Sequence, residues 1–448
     1  MLSGSTAPLL NLIKLNKPII RFHQLKPTIM NISFSPPFID QNVINEVMDT
    51  LKSGWITSGP KVMALEMEVM RLTRSKAAVC VNSWTSGAVM MLKWFGVKEG
   101  DEVIIPAYSY CATALCVLHC GATPVMVDIA DDLTIDPQRI KMAITSRTKA
   151  IIAVDIAGLP CDYNSIKSLI RSARIRSLFT ANSEEQHKLG RILLIADAAH
   201  SIGATYMGHS AAISSDVTIF SFHAVKNITT AEGGCACLNL PGNFDHNEEY
   251  KFLKIFALNG QNKDAYAKSK GANWKYDILY KGLKINMPDI CAAIGLAQIK
   301  QYKRLLLPER KKIAEKYCSI LSNYEWFIPP TLKDYSRESS YHIFPMRIKH
   351  ITEAQRDRII EDIVAFGVIV NVHFIPMPML TYFKKTGYNI ANYPNSYKQY
   401  ACEISLPIYP TLTDEDTDYI IDAVIKSVQS QMLHNKHQEL SLIKAYRS

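Results

Sequence analysis

From residue 77 onward, short apolar runs rich in β-branched residues alternate with stretches whose apolar positions recur at helical spacing. The runs at 77–82, 102–106, 123–128, 150–155, 192–197, 217–222 and 234–238 predict seven strands. Residues 85–94, 109–120 and 164–172 predict helices between them, with Thr85 and Ser109 near their N-terminal ends. This rhythm predicts an α/β domain with a mainly parallel sheet. Residues 172–191 are more polar and lack steady periodicity, so they are expected to lengthen one crossover as a surface insertion.

A long helix is expected from Met287 or Pro288 through Tyr317. The pattern changes at Ile328-Pro329-Pro330, after which strand-like runs at 340–348 and 368–374 flank a helical stretch at 353–366. The expected organisation is an extension at 1–29, an N-terminal segment at 30–60, a large domain at 61–327, a smaller C-terminal α/β domain at 328–430 and a basic tail at 431–448. No internal repeat or low-complexity tract interrupts it.

With 448 residues and 48% hydrophobic composition, the chain can bury a sizeable core. Its formal charge of +9 suggests nucleic acid until the charges are located. Residues 1–30 carry Lys14, Lys17, Arg21 and Lys26 with no acid, and 431–448 carry Lys436, Lys444 and Arg447 against Glu439, so the tails hold six of the nine. The body lacks the concentrated basic footprint that nucleic-acid binding needs. No apolar run is long enough for a membrane span. The ten cysteines lie mostly in apolar runs, as expected of reduced thiols in the cytoplasm. Cys116, His119 and Cys120 are close in sequence, but the spacing lacks a second pair, and core packing is the expected reading rather than a metal site. Residues 1–29 are basic and acid-poor, which fits a transit peptide, a flexible arm or an extension upstream of a start at Met30, but not a secretory signal.

Three segments carry candidate chemistry. Lys226 lies just beyond the predicted strand at 217–222 and precedes Thr229-Thr230-Ala231-Glu232-Gly233-Gly234, where an amine can be held in a cleft. A lone loop lysine is usually only a solvated charge. Asp197 ends an apolar strand and is followed by Ala198-Ala199-His200-Ser201; it suits an acid partner for a pyridinium nitrogen, although a helix N-cap is the plainer explanation of a single such Asp. Val81-Asn82-Ser83-Trp84-Thr85-Ser86-Gly87 lies between a strand and a helix, where free N–H groups and hydroxyls face an anion; ordinary Ser/Thr capping is the plainer alternative. Neither a G-x-G-x-x-G nor a Walker loop occurs. The three together, in the order phosphate loop, acid, lysine, point to one site.

These segments, with Ser53 to Pro60, Pro106 to Thr113 and Gly282 to Gln298, resemble the DegT/DnrJ/EryC1/StrS sugar aminotransferases from about Phe34 to about Val428. The resemblance implies the type I, aspartate-aminotransferase-like fold, with a seven-stranded mainly parallel sheet in the large domain and a smaller C-terminal α/β domain. It implies pyridoxal 5'-phosphate as cofactor, Lys226 as its Schiff-base lysine and Asp197 as partner of the ring nitrogen. Ser221, Thr85 and the amide of Trp84 would hold the phosphate, Tyr110 would stack on the ring, and His200 would approach the ring oxygen. Lys284 stands where the family has an Asn that reaches a neighbouring subunit's phosphate, and Asn286 replaces an Arg. The resemblance further implies a nucleotide-linked keto-sugar as substrate, glutamate as amino donor, and a homodimer with shared active sites serving polysaccharide or glycoconjugate biosynthesis.

A sugar dehydratase using the same cofactor would carry His where Lys226 stands, and a nonenzymatic sensor on this scaffold would lack the lysine or the acid. A dehydrogenase would show a glycine-rich dinucleotide turn. Which sugar is aminated depends on loops, among them those carrying His373 and Trp55.

Overall fold

The computed structural model describes residues 30–269 and 274–447, so the extension expected at 1–29 lies outside the described residues. All seven expected strands form. They are β1 (Ala77–Val81), β2 (Glu102–Pro106), β3 (Thr123–Val127), β4 (Thr148–Val154), β5 (Leu193–Asp197), β6 (Val217–Ser221) and β7 (Gly234–Leu238). They make one sheet in the order β1-β7-β6-β5-β4-β2-β3. Only β7 runs antiparallel to its neighbours.

Both faces of the sheet are buried, which is why its strands read as continuous apolar runs. Successive residues divide between the two sides: Val79, Val81, Leu193 and Ile195 join one core, whereas Ala78 and Cys80, or Leu194 and Ala196, join cores on the other. Each fully buried Ile, Leu or Val contributes roughly 1.5–3 kcal/mol. Cys116 and Cys120 pack into the first of these cores. Helices α1 (Gln41–Lys52), α2 (Pro60–Thr73), α3 (Trp84–Trp94) and α4 (Ala112–Leu118) precede or connect the early strands. The α4 helix is shorter than the expected 109–120, because Ser109, Tyr110 and Cys111 form the turn that leads into it.

Two other expectations, on the long helix and on residues 368–374, are corrected. The long helix is divided into α5 (Asp289–Gln301), a wide π turn at Tyr302–Leu306 and α6 (Leu307–Leu321). Pro308 has no N–H for the preceding turn, so the ladder is broken where it enters. Residues 172–191 lengthen the β4–β5 crossover at the surface as expected, with two short helices, Ala173–Leu178 and Glu184–Leu189, and buried Gln186 anchors them by donating to the Phe95 carbonyl at 2.8 Å. Residues 368–374 do not form a strand. Val368 and Asn371 make isolated bridges, while the Val372 and His373 N–H groups go to the side chains of Asn371 and Glu403.

A second core surrounds a small antiparallel sheet of β8 (Phe327–Ile328), β9 (Phe344–Ile348) and β10 (Glu403–Leu406), in that order. It includes Tyr317 of α6, Phe344 and Ile404 of the sheet, Ile359 of α7 (Glu353–Ala365) and Val424 of α8 (Asp414–Arg447). The α8 backbone continues through the segment expected as a separate tail. Asp128, just after β3, accepts the Asn395 and Ser396 N–H groups at 2.8 Å each and ties the two cores together. Among the described residues, no helix is long and apolar enough to cross a membrane.

Candidate active site

The strand directions place the ends of β1, β5 and β6 on one edge of the sheet, the usual place for a ligand in an open α/β sheet. A cleft of about 520 Å³ opens there. Trp84, Thr85, Tyr110, Asp197, His200, Ser221 and Lys226 all line it. Lys284 does not. It is exposed, bridges Leu258 through its backbone and hydrogen-bonds Asn286 with its side chain. Trp55 also lies outside this cleft, against Tyr266, with its indole N–H on the Ser58 carbonyl.

Asp197 is the last residue of β5 and is buried. Thr113 of α4 donates to its Oδ2 at 2.9 Å, and the Ala199 N–H donates to Oδ1 at 3.2 Å. Burial pushes the carboxyl up to about 7, with those hydrogen bonds and the Lys226 charge opposing the rise. Burial lowers Lys226 to about 8, with Asp197 opposing. The site therefore holds an acid and an amine that both titrate near neutrality.

The Lys226 loop is pinned by its neighbour. Asn227 donates to the Tyr302 hydroxyl at 3.0 Å and the Ser340 carbonyl at 2.9 Å, and its Oδ1 lies 2.8 Å from His342 Nδ1. His200 Nδ1 accepts the Ala157 N–H at 3.2 Å, which leaves Nε2 of the neutral ring to carry the hydrogen. Burial holds His200 and His342 well below the ordinary imidazole range.

At the end of β1, Ser83 caps α3 by accepting the Ser86 N–H at 3.0 Å. Ser83 is thus the cap, and Thr85 lies near the N-terminal end of the helix as expected. The Trp84 and Thr85 amides are at the first two helical positions, where the helix supplies no acceptor. The Trp84 indole N–H donates to the Ile219 carbonyl at 3.1 Å. Gly234 starts β7 between Val81 and Ser221, and a Cβ there would meet the Ser83 carbonyl carbon and the Trp84 nitrogen at 2.7 Å. Its missing side chain lets the three strand ends converge. Across the cleft, the Tyr110 ring is 61% exposed and lies 6.0 Å from that of Phe374.

Thr113, Asn227, His342 and Phe374 escaped the sequence reading. Only Thr113 had a usable signal, since it stands four residues after Ser109; the turn that leads into α4 brings their hydroxyls to 3.0 Å apart.

Comparison with known proteins places the chain as a whole. MJ1066, an uncharacterised protein of Methanocaldococcus jannaschii, is 38% identical over 403 residues, covering 88% of this chain and 98% of that protein. The spore coat polysaccharide biosynthesis protein SpsC of Bacillus subtilis is 33% identical over 400 residues, covering 88% and 96%. Spr1654 of Streptococcus pneumoniae, classed with the sugar aminotransferases and solved in its PMP form, superposes with a TM-score of 0.86 at 41% identity over 90% of this chain and 100% of that one. The profile of the DegT/DnrJ/EryC1/StrS aminotransferase family matches residues 37–425, and the chain belongs to that family.

Proposed function

We propose that the chain transfers the amino group of glutamate to a nucleotide-linked keto-sugar, yielding an amino sugar for surface polysaccharide or glycoconjugate biosynthesis. It is a pyridoxal-phosphate-dependent aminotransferase by family. The observation that supports transamination at this cleft is the placing of Lys226, Asp197 and the α3 amides around it. The donor set suits the cofactor: an amine, a buried acid, an aromatic ring open on one side and a helix N-terminus beside Ser221.

When bound, pyridoxal phosphate supplies a protonated ring that takes up the electron pair left when the donor's α-carbon loses its proton. In this reading Lys226 Nζ holds the cofactor covalently and later acts as the base that carries that proton. Burial lowers its amine to about 8, so near neutrality a neutral fraction is present that an ordinary lysine lacks, which suits both duties. Asp197 holds its proton at a pH where a ring nitrogen can share it. The Trp84 and Thr85 amides and Ser221 would hold the phosphate, the Tyr110 ring would cover one face, and His200 Nε2–H would donate to the ring oxygen.

A homodimer with shared sites belongs to the same proposal. Lys284 is exposed outside its own cleft, near the exposed apolar residues Ile278, Leu279 and Tyr280, a surface that a second copy would bury. The ten free cysteines support a reducing cytoplasmic setting. The deciding experiment is the product mass after incubation with glutamate and a panel of nucleotide-linked keto-sugars. An amino sugar supports the reading; a dehydrated sugar, or no product from any keto-sugar, overturns it.

A further inference from the structure

His373 enters the cleft from the second core and has a role in no step so far. Its ring is clamped on two sides: Phe34 stacks on it with centroids 5.4 Å apart, and Phe374 meets it nearly edge-on at 4.8 Å. Its Nδ1 lies 2.9 Å from Ser405 Oγ, and Ser405 is hydrogen-bonded to Glu403 Oε1. Glu403 Oε2 accepts the backbone N–H of His373 at 3.0 Å, which closes the loop. His373 Nε2 makes no hydrogen bond among the described residues and is the one ring nitrogen left for a ligand.

Glu403 is fully buried in β10, and among the described residues it makes no ion pair. Arg356 uses its guanidinium on Asp357 and on the Tyr400 and Glu403 carbonyls, and Arg347 bonds Gln399 and the carbonyls of Asp131 and Pro329. Burial raises the Glu403 carboxyl to about 8, outweighing the hydrogen bonds from Ser405 and the His373 N–H and the charges of Arg356 and Arg347, all of which pull it down. Tyr108 and Cys402 also feel its charge, and both are raised, chiefly by burial. A buried carboxyl without a cation is costly, and a strand needing only packing would place an apolar residue there. Pinning the His373 backbone accounts for one oxygen; the link through Ser405 to the ring does not serve that purpose.

The relay fixes where the ring hydrogen sits. While Glu403 keeps its proton, Oε2 must accept from His373 N–H, so Oε1 carries the hydrogen and gives it to Ser405. Ser405 then donates to His373 Nδ1, and the ring hydrogen stands on Nε2, toward the cleft. Burial takes the imidazole down to about 3, so it offers one neutral, directional donor. That suits an uncharged sugar oxygen better than a donor carboxylate, which is matched by a cation.

We propose that Glu403 and Ser405 are positioning residues whose relay holds His373 with its Nε2–H toward the cleft, where it donates to a hydroxyl oxygen of the keto-sugar. The inference rests on the keto-sugar reading given above. Nitrogen-15 spectra of histidine-labelled holoenzyme, with the His373 signals assigned by His373→Gln, read the tautomer without any sugar. The wild type should show hydrogen on Nε2 at pH 7 and on Nδ1 at pH 9, after Glu403 ionises. In Glu403→Gln the amide can only donate to Ser405, so Nε2 should keep the hydrogen at both pH values. Ser405→Ala should lose the single tautomer and raise the keto-sugar KM about tenfold, the worth of one hydrogen bond. Its glutamate half-reaction should change less than about threefold, and Ser405→Thr should restore both readings. An unaltered His373 tautomer in Ser405→Ala, or KM values for sugar and glutamate that rise together, would overturn the proposal. If the wild type aminates no keto-sugar, the sugar contact falls with the function reading, while the spectra still decide the relay.

Discussion

Thr113 gives its hydroxyl hydrogen to Asp197 Oδ2 at 2.9 Å, and so the acid at the end of β5 is aimed by a helix that belongs to a different crossover. Because Ser109 lies 3.0 Å from Thr113, the acid has a second hydroxyl behind its first. The carboxyl is held in one orientation although it is buried and, near neutrality, only partly charged.

This predicts a graded pair of variants. Asp197→Asn keeps the shape but removes the acid, and the glutamate half-reaction, followed by cofactor absorbance, should slow at least about a hundredfold. Thr113→Val leaves the acid and removes one hydrogen bond, so a loss of roughly tenfold is expected. Near-normal turnover in Asp197→Asn would mean that another acid serves the ring.

The pH dependence of cofactor capture follows from Lys226. Only the neutral amine attacks the aldehyde, and its fraction grows as pH rises through the amine's pKa. With burial lowering that value to about 8, the capture rate in cofactor-free protein should level off near pH 9. At pH 7 about a tenth of the amine is then neutral, against roughly one part in 3,000 for an ordinary lysine. A rate still climbing tenfold per pH unit above pH 9 would show that burial does not tune this amine.

Much of this was legible in the sequence, for physical reasons. The seven strands were readable because a doubly covered sheet needs apolar residues at nearly every position, Asp197 because it ends such a run and Lys226 because it follows one. The strand Glu403–Leu406 was missed because a buried carboxyl sits at its first position, where pattern reading expects an apolar residue. The opposite error at 368–374 arose because two N–H groups there are taken by side chains, which no periodicity records. Thr113 and His342 reach the site from other segments of the chain, and only folding brings them to Asp197 and Lys226.

Gly234 gives a test of the strand-end geometry. In Gly234→Ala the new methyl would press on the Ser83–Trp84 peptide at 2.7 Å, and backbone cannot swing aside as a flexible side chain can. Unfolding titrations of the cofactor-free protein should show a loss of about 1–3 kcal/mol. Cofactor affinity should fall as well, because the displaced amides are those proposed to hold the phosphate. Unchanged affinity in a folded variant would place the phosphate elsewhere.

The shared-site proposal predicts complementation between two inactive variants, Lys226→Ala and Lys284→Glu, unfolded together and refolded as a mixture. If each site takes Lys226 from one copy and Lys284 from the other, a mixed dimer has one site with both defects and one intact site. Activity should return to as much as half the wild-type value per mixed dimer. A mixture that stays inactive although mixed dimers form would show that Lys284 does not act across the interface.

The most direct measurement is the reduction of purified, cofactor-loaded protein with borohydride, followed by peptide mass analysis. The protein should be yellow before reduction and bleach on treatment, and the added cofactor mass should lie on the peptide containing Lys226. Cofactor mass on any other lysine, or none on a protein that was yellow, would contradict the assignment of Lys226 as the residue that holds pyridoxal phosphate.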